Sequence, residues 1–320
     1  MGSSSMHARR RFIRDAAAGA ALLALPAYAR LAGANDSVAS PMAQGRPSIT
    51  AQGAALLRAV HQVVDVPPVF ADPHALRIIG AEAEQSMQAN VDRYQSRRTL
   101  RAYVALRSRY AEDRVAEAVQ RGVRQYVLLG AGLDTFAYRN PHAGLRVFEI
   151  DHPATQAWKK QRLQQAHIVP PDSMTFAPVD FETQTLAEGL RAAGFDFRAP
   201  VSLSMLGVAV YLTKPALMET LKFVATLAPG SEIVFSYSVS AELLTDAQRA
   251  ARAAAARQVA AIGEPWISYY DPPSLAAEVA ALGFSAVSNL EPGDANARYF
   301  SGRADGLRIS GGSRLMTARV

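Results

Sequence analysis

Glycines and acids placed where short apolar runs end carry the chemistry this chain can do. The first such place is Gln125-Tyr126-Val127-Leu128-Leu129-Gly130-Ala131-Gly132-Leu133-Asp134-Thr135. A buried strand running into Gly-x-Gly has no Cβ atoms at its turn, so the backbone can bend sharply and approach a ligand closely. Alone, such a segment is as often only a turn. The second place is Phe148-Glu149-Ile150-Asp151, where Glu149 follows Gly130 by 19 residues. That is close to the roughly 20-residue interval at which a doubly wound fold sets an acid against ribose hydroxyls, and a carboxylate can accept both protons. The third is Val179-Asp180-Phe181. An Asp there can accept from an exocyclic amine while the neighbouring ring packs on a purine; its plainer reading is a helix N-cap. Strand ends bearing Gly-x-Gly, Glu and Asp in that order describe a groove for an adenosine. Thr135 stands where the dinucleotide fingerprint has its third glycine, which disfavours a pyrophosphate-bearing cofactor such as NAD.

The elements that position these residues follow from periodicity. Short aliphatic and β-branched runs predict strands over 125–129, 146–150, 175–179, 201–206 and 232–237. Helical patterns lie between them at 153–166, 185–193, 214–227 and 241–261. Such alternation implies an α/β fold with a doubly wound, mostly parallel sheet covered on both faces. Ahead of it, helices predicted over 54–64, 73–88 and 97–121, the last ending at Gly122, form an N-terminal helical cap over 48–122. A helix at 273–282 and two closing strands at 286–290 and 313–318 complete the body.

Composition narrows the function classes. The chain has 320 residues, 49% hydrophobic and 19% charged, enough apolar material for one large core. No apolar run reaches the roughly 20 residues of a membrane-spanning helix. The formal charge is +6, but Arg9, Arg10, Arg11, Arg14 and Arg30 of the first 34 residues face only Asp15. The body is therefore near balance, without the dense basic stripe of a nucleic-acid binder. With no cysteine, thiolate metal sites, disulfides and cysteine nucleophiles are excluded. Gly-x-Ser-x-Gly, His-Glu-x-x-His and Walker A motifs are absent too.

The segments QYVLLGAGLDTFAYR from Gln125 and VFEIDHPATQAWKKQRL from Val147 resemble the signature of the leucine carboxyl methyltransferase family, in its bacterial branch of O-methyltransferases. The resemblance runs from SITAQGAALLRAVHQ at Ser48 through ADPHALRIIG at Ala71 and GVAVYLT at Gly207 to RYFSGRADGLRI at Arg298. It implies a class I methyltransferase (Rossmann-like) fold, S-adenosylmethionine as methyl donor, no metal, and a small-molecule carboxylate or hydroxyl as acceptor. By position, Gly130, Ala131, Gly132 and Asp134 would line the donor's methionine end and ribose, Glu149 would hold the ribose, and Asp180 with Phe181 the adenine. The flanking Ile150, Asp151, Val179, Leu206 and Gly207 complete the implied donor site. Arg107, in Leu106-Arg107-Ser108-Arg109-Tyr110, matches the family arginine that pairs with the donor's carboxylate. A guanidinium fork suits that task because it binds a carboxylate through two parallel hydrogen bonds. Where several family members place a Glu before the glycine of the fourth strand, this chain has Leu206-Gly207.

In-line attack on a sulfonium methyl needs little acid catalysis, because the thioether leaves neutral; alignment of the reactants can supply roughly 7 to 11 kcal/mol. A carboxylate acceptor is already ionised, whereas a hydroxyl needs a base, for which His61, His74, His142, His152 and His167 are the candidates. Tyr211 lies near the groove and could orient an acceptor, although a tyrosine in an apolar run is more often core. Two rival readings remain: an NAD-linked oxidoreductase, and a non-catalytic exported nucleoside-binding protein on the same fold.

Residues 8–34 read ARRRFIRDAAAGAALLALPAYARLAGA. A basic start, the apolar small-residue stretch and Ala27-Tyr28-Ala29 fit a secretory signal, and Arg9-Arg10-Arg11-Phe12-Ile13 resembles the twin-arginine pattern of a route that exports folded proteins. A flexible linker over 35–47 would follow. The leader thus points to the periplasm, whereas a donor made in the cytoplasm points the other way.

Overall fold

The computed structural model describes residues 48–90, 94, 97–181 and 183–320. The leader expected at 1–34 and the linker at 35–47 lie outside the described residues.

The predicted strands become β1 (Gln125–Leu129), β2 (Arg146–Asp151), β3 (Met174–Pro178), β4 (Ser202–Met205) and β5 (Glu232–Ser238), joined in parallel in the order β3-β2-β1-β4-β5. The closing pair, β6 (Ala286–Leu290) and β7 (Ser313–Arg319), extends the sheet as β5-β7-β6, with β7 antiparallel to both neighbours. The order reverses between β1 and β4, so their carboxyl ends open a crevice, the place where ligands bind in open α/β sheets.

The sequence forms these strands because both faces are covered. Phe148, Val127, Leu203 and Ile233 sit in register across β2, β1, β4 and β5 and belong to one core; the alternate residues Val147, Tyr126 and Val234 face the other side. Near-continuous apolar runs are what a doubly covered parallel sheet demands.

The cap comprises α1 (Ile49–Val64), α2 (Ala75–Ile79), α3 (Ala81–Ala89) and α4 (Arg98–Gln120). The helix predicted over 73–88 is divided at Gly80, whose φ of +88° leaves the right-handed region and where a Cβ would lie 2.4 Å from Arg162 Nη1. α1 begins at Ile49, ahead of the expected start, because Ser48 accepts from the Ala51 N–H as its N-cap. α4 links cap to sheet: Val115 packs with Tyr126 and Leu128, and Leu106 and Tyr110 with Val234 and Leu315. The body helices are α5 (Pro153–Gln165), α6 (Leu186–Ala192), α7 (Lys214–Ala225), α8 (Asp246–Ala261), α9 (Pro272–Ala280) and α10 (Pro292–Tyr299). α6, α7 and α9 cover the face carrying Val127 and Leu203. α10 was not expected from periodicity. No described helix is long and apolar enough to cross a membrane, and no described group of residues has a metal-ligating arrangement.

A buried ion pair fixes the cap on α4. Asp65, 2% exposed, accepts from Arg101 Nε at 2.6 Å and Nη2 at 2.8 Å, and its Oδ2 lies 2.7 Å from His61 Nδ1. Burial works to raise the Asp65 carboxyl, but Arg101 and His61 overcome it and hold it at about 2. A carboxyl whose folded pKa is depressed stabilises the fold above its unfolded value and loses that contribution as pH falls through the folded one. Between pH 5 and pH 2.5 the stability gap between wild type and Asp65→Ala, measured by urea unfolding, is expected to narrow by about 2 kcal/mol. A gap constant across that range would refute the assignment.

Candidate active site

At the crevice, β1 runs into Gly130 (φ +69°) and Gly132 (φ +48°), and the N–H groups of Gly130 and Ala131 donate to the Ile150 carbonyl at 2.9 and 3.1 Å. A Cβ on Gly130 would meet Val208 Cγ2 at 2.4 Å; one on Gly132 would lie 3.1 Å from the Ala51 Cβ. The loop is therefore held between the segment after β4 and the first turn of α1, where only glycine meets both the dihedral and the spacing.

The acids at the end of β2 part company. Asp151, half-buried at the strand's carboxyl end, accepts the Gly132 N–H at 2.6 Å and the His152 N–H at 2.8 Å, and burial raises its carboxyl. Glu149, expected to hold the ribose, is fully buried: its Oε2 lies 2.6 Å from Lys159 Nζ and accepts from the Tyr138 hydroxyl at 3.3 Å. Burial, only partly offset by Lys159, pushes it up to about 7. Its Oε2 is thus engaged by α5, while Asp151 lies at the end of the strand: residues two apart on a strand share a face, and the second stands closer to the open edge.

Val179 continues alongside, its N–H donating to the Asp151 carbonyl at 3.0 Å, and brings Asp180 and the 62%-exposed Phe181 to the outer lip. The plainer reading of Asp180 is not realised, since α6 is capped by Thr185 in a capping box with Glu188.

From above, α4 contributes Arg107. Its guanidinium lies against Gly207 (φ +77°), where a Cβ would stand 2.5 Å from Nη1. Burial disfavours its charge, with Tyr103, Tyr211 and Asp134 partly compensating, yet among the described residues no carboxylate pairs with it. Asp134 is occupied locally, its Oδ1 accepting the Phe136 N–H at 2.8 Å. Gly207 donates to Ser236 Oγ at 2.6 Å, and Leu206 packs into the apolar cluster of α4, leaving no acid at that position. Tyr211 closes this end; its hydroxyl accepts from Trp266 Nε1 at 3.0 Å.

Thus Gly130, Ala131, Gly132 and Asp134 follow β1, Ile150 and Asp151 end β2, Val179, Asp180 and Phe181 follow β3, Leu206, Gly207 and Tyr211 follow β4, and Arg107 reaches Gly207 from α4, while Glu149 is buried against Lys159. Thr50, Glu264 and Trp266 were missed, because Thr50 meets Glu264 across 214 residues and Trp266 meets Tyr211 across 55, and no local pattern announces them.

The histidines are committed elsewhere. His61 bonds Asp65 and takes the Val69 N–H, His74 faces the Tyr138 carbonyl, and His152 caps α5. His142 and His167 sit in the loops that enter β2 and β3, at the far end of the sheet.

A family model for leucine carboxyl methyltransferase matches residues 51–225, which takes in the glycine loop, both β2 acids, Arg107 and the Gly207 turn. The chain belongs to the leucine carboxyl methyltransferase family. YktD of Bacillus subtilis, named for S-adenosyl-L-methionine-dependent methyl transfer, is 30% identical over 294 residues, spanning 83% of this chain and 95% of that protein. A similarly named protein of Mycobacteroides abscessus is 33% identical over 192 residues, covering 58% of this chain and 61% of its own length. Among solved structures, a Thermobifida fusca protein described as a methyltransferase superposes with a TM-score of 0.53 at 17% identity, over 87% of this chain and 96% of that one. A DUF574 protein of Streptomyces avermitilis does so with a TM-score of 0.50, over 87% and 99%. This leucine carboxyl methyltransferase homologue is an S-adenosylmethionine-dependent methyltransferase with the class I fold, and neither rival reading finds support among these relatives.

Proposed function

We propose that this methyltransferase esterifies a carboxylate of a small molecule, a hydroxyl being the second possible acceptor. The observation that carries the reading is the Arg107 guanidinium, seated on Gly207 at the switch point without a carboxylate paired to it among the described residues, while His61, His74 and His152 are engaged in hydrogen bonds of their own. A half-buried guanidinium lacking an acidic partner suits the α-carboxylate of the donor, which it can take through its fork. Asp151, at the end of β2, is placed to accept from the ribose hydroxyls. Asp180 and Phe181 at the lip are placed for the adenine amine and ring face. The glycine turn lets the backbone approach the donor's methionine arm.

The donor supplies an electrophilic methyl on sulfonium. As the acceptor oxygen forms its bond to that carbon, the carbon–sulfur bond breaks and its electron pair stays on sulfur, which leaves neutral. The protein's part is alignment, which can supply roughly 7 to 11 kcal/mol. An ionised carboxylate surrenders no proton, so such a reaction needs no general base, whereas a hydroxyl acceptor would need one.

Calorimetric titration of the full chain is expected to show micromolar affinity for S-adenosylmethionine and none for NAD. With donor labelled in its methyl group, a panel of small carboxylic acids and phenols then separates the acceptors. Methyl esters release the label as methanol in mild base; ethers retain it. Base-stable product throughout would overturn the carboxylate reading.

A further inference from the structure

The Glu264 carboxylate is 5% exposed, yet among the described residues no Arg, Lys or His pairs with it. Its partners all belong to the beginning of α1: it accepts the Ile49 N–H at 2.7 Å, the Thr50 N–H at 3.1 Å, Ser48 Oγ at 3.0 Å and the Thr50 hydroxyl. A carboxylate at a helix N-terminus satisfies N–H groups that have no intrahelical partner and meets the positive end of the helix dipole. The charge of Glu264 is therefore balanced entirely by the first turn of one helix.

That turn lies on the glycine loop, with Ala51 against Gly132, while Glu264, which holds it, is two residues from Trp266, whose Nε1 donates to the Tyr211 hydroxyl at the Gly207 end. Glu264 in turn belongs to a segment fastened to the residues after β4. There the Ile267 N–H donates to the Val210 carbonyl at 2.8 Å, Ser268 Oγ to the Leu212 carbonyl at 2.5 Å, and Trp266 Nε1 to Tyr211. The start of α1 is also tied to the body by a 3.4 Å bond from Ser48 N to Thr155 Oγ1.

We propose that Glu264 is a positioning residue that latches the first turn of α1 as a roof over the donor groove, so that the donor enters and leaves only when this latch releases. The proposal rests on the donor site described above. Glu264 touches no reacting atom; it governs how long the donor is held. The coupling is directional: the segment bearing Glu264 also bears Trp266, which fixes Tyr211 on the acceptor side, so the roof over the donor and the wall facing the acceptor move on one hinge.

The chain has two tryptophans, Trp158 on α5 and Trp266 beside Tyr211, so Trp158→Phe leaves Trp266 as the reporter. In that background, stopped-flow fluorescence gives the dissociation rate of S-adenosylmethionine and of S-adenosylhomocysteine. Glu264→Ala is expected to raise both rates at least tenfold and to raise the donor KM with kcat unchanged or higher. Glu264→Gln, which keeps one acceptor oxygen, should recover part of the effect. Thr50→Val removes the hydroxyl link without leaving a buried charge unpaired, and should raise dissociation severalfold if Glu264→Ala fails to fold. Dissociation within twofold of wild type in all three variants would overturn the latch, as would a fall in kcat at unchanged KM. Failure of the unmodified protein to bind either ligand would instead overturn the donor reading itself.

Discussion

Arg107→Ala is expected to weaken S-adenosylmethionine binding by roughly 10- to 100-fold while leaving the melting temperature at or above that of wild type. Hydrogen bonds to a charged group contribute about 1.5–3 kcal/mol, and about 1.4 kcal/mol is tenfold in affinity. The stability half of this expectation is the more diagnostic. Removing one partner of a buried ion pair normally strands the other, but Arg107 has no carboxylate to strand among the described residues, and burial already works against its charge. Arg107→Lys should recover only part of the affinity, since an ammonium restores charge without the planar fork. Calorimetry and thermal melts on the three proteins check both halves. Unchanged donor affinity in Arg107→Ala would move the guanidinium's role to the acceptor.

The second large effect separates neighbouring acids. Asp151→Ala removes the carboxylate at the groove and the partner of the Gly132 N–H, so donor affinity should fall roughly 10- to 100-fold, the loss of one or two charge-assisted hydrogen bonds. Glu149→Gln should leave donor affinity within about threefold and instead lower stability, because Lys159, 1% exposed, loses the carboxylate it pairs with; breaking a buried pair costs about 3–5 kcal/mol. Urea unfolding alongside titration reads both. The reverse pattern, affinity lost in Glu149→Gln and stability lost in Asp151→Ala, would restore the ribose to Glu149.

That contrast also marks what the sequence makes legible. The parallel strands read clearly because both faces of the sheet are buried and their runs are almost unbroken in apolar residues. Gly130 and Gly132 read clearly because the turn demands positive φ and close approach. Glu149 and Asp151 both fall close to the interval from the glycine loop that marks a ribose acid, so spacing alone cannot choose between them; the lysine that takes Glu149 inward lies a helix away on α5. The break at Gly80 likewise depends on Arg162 arriving from α5, and the roof of the groove on a contact between Glu264 and Thr50 that no window along the chain contains. What was missed is tertiary: side chains whose roles are set by partners the local pattern does not hold.

The position of β7 has a consequence for the order of assembly. Its residues follow those of every other described strand, yet it lies between β5 and β6, and β6 pairs with no other described strand. While the chain is being made, the five parallel strands can associate as they emerge, but β6 must wait and β5 stays an open edge, a template for pairing with other chains. The described sheet is sealed by a strand made after its neighbours on both sides, so a nascent chain stalled before residue 313 already has its glycine loop and β2 acids but exposes an unprotected strand.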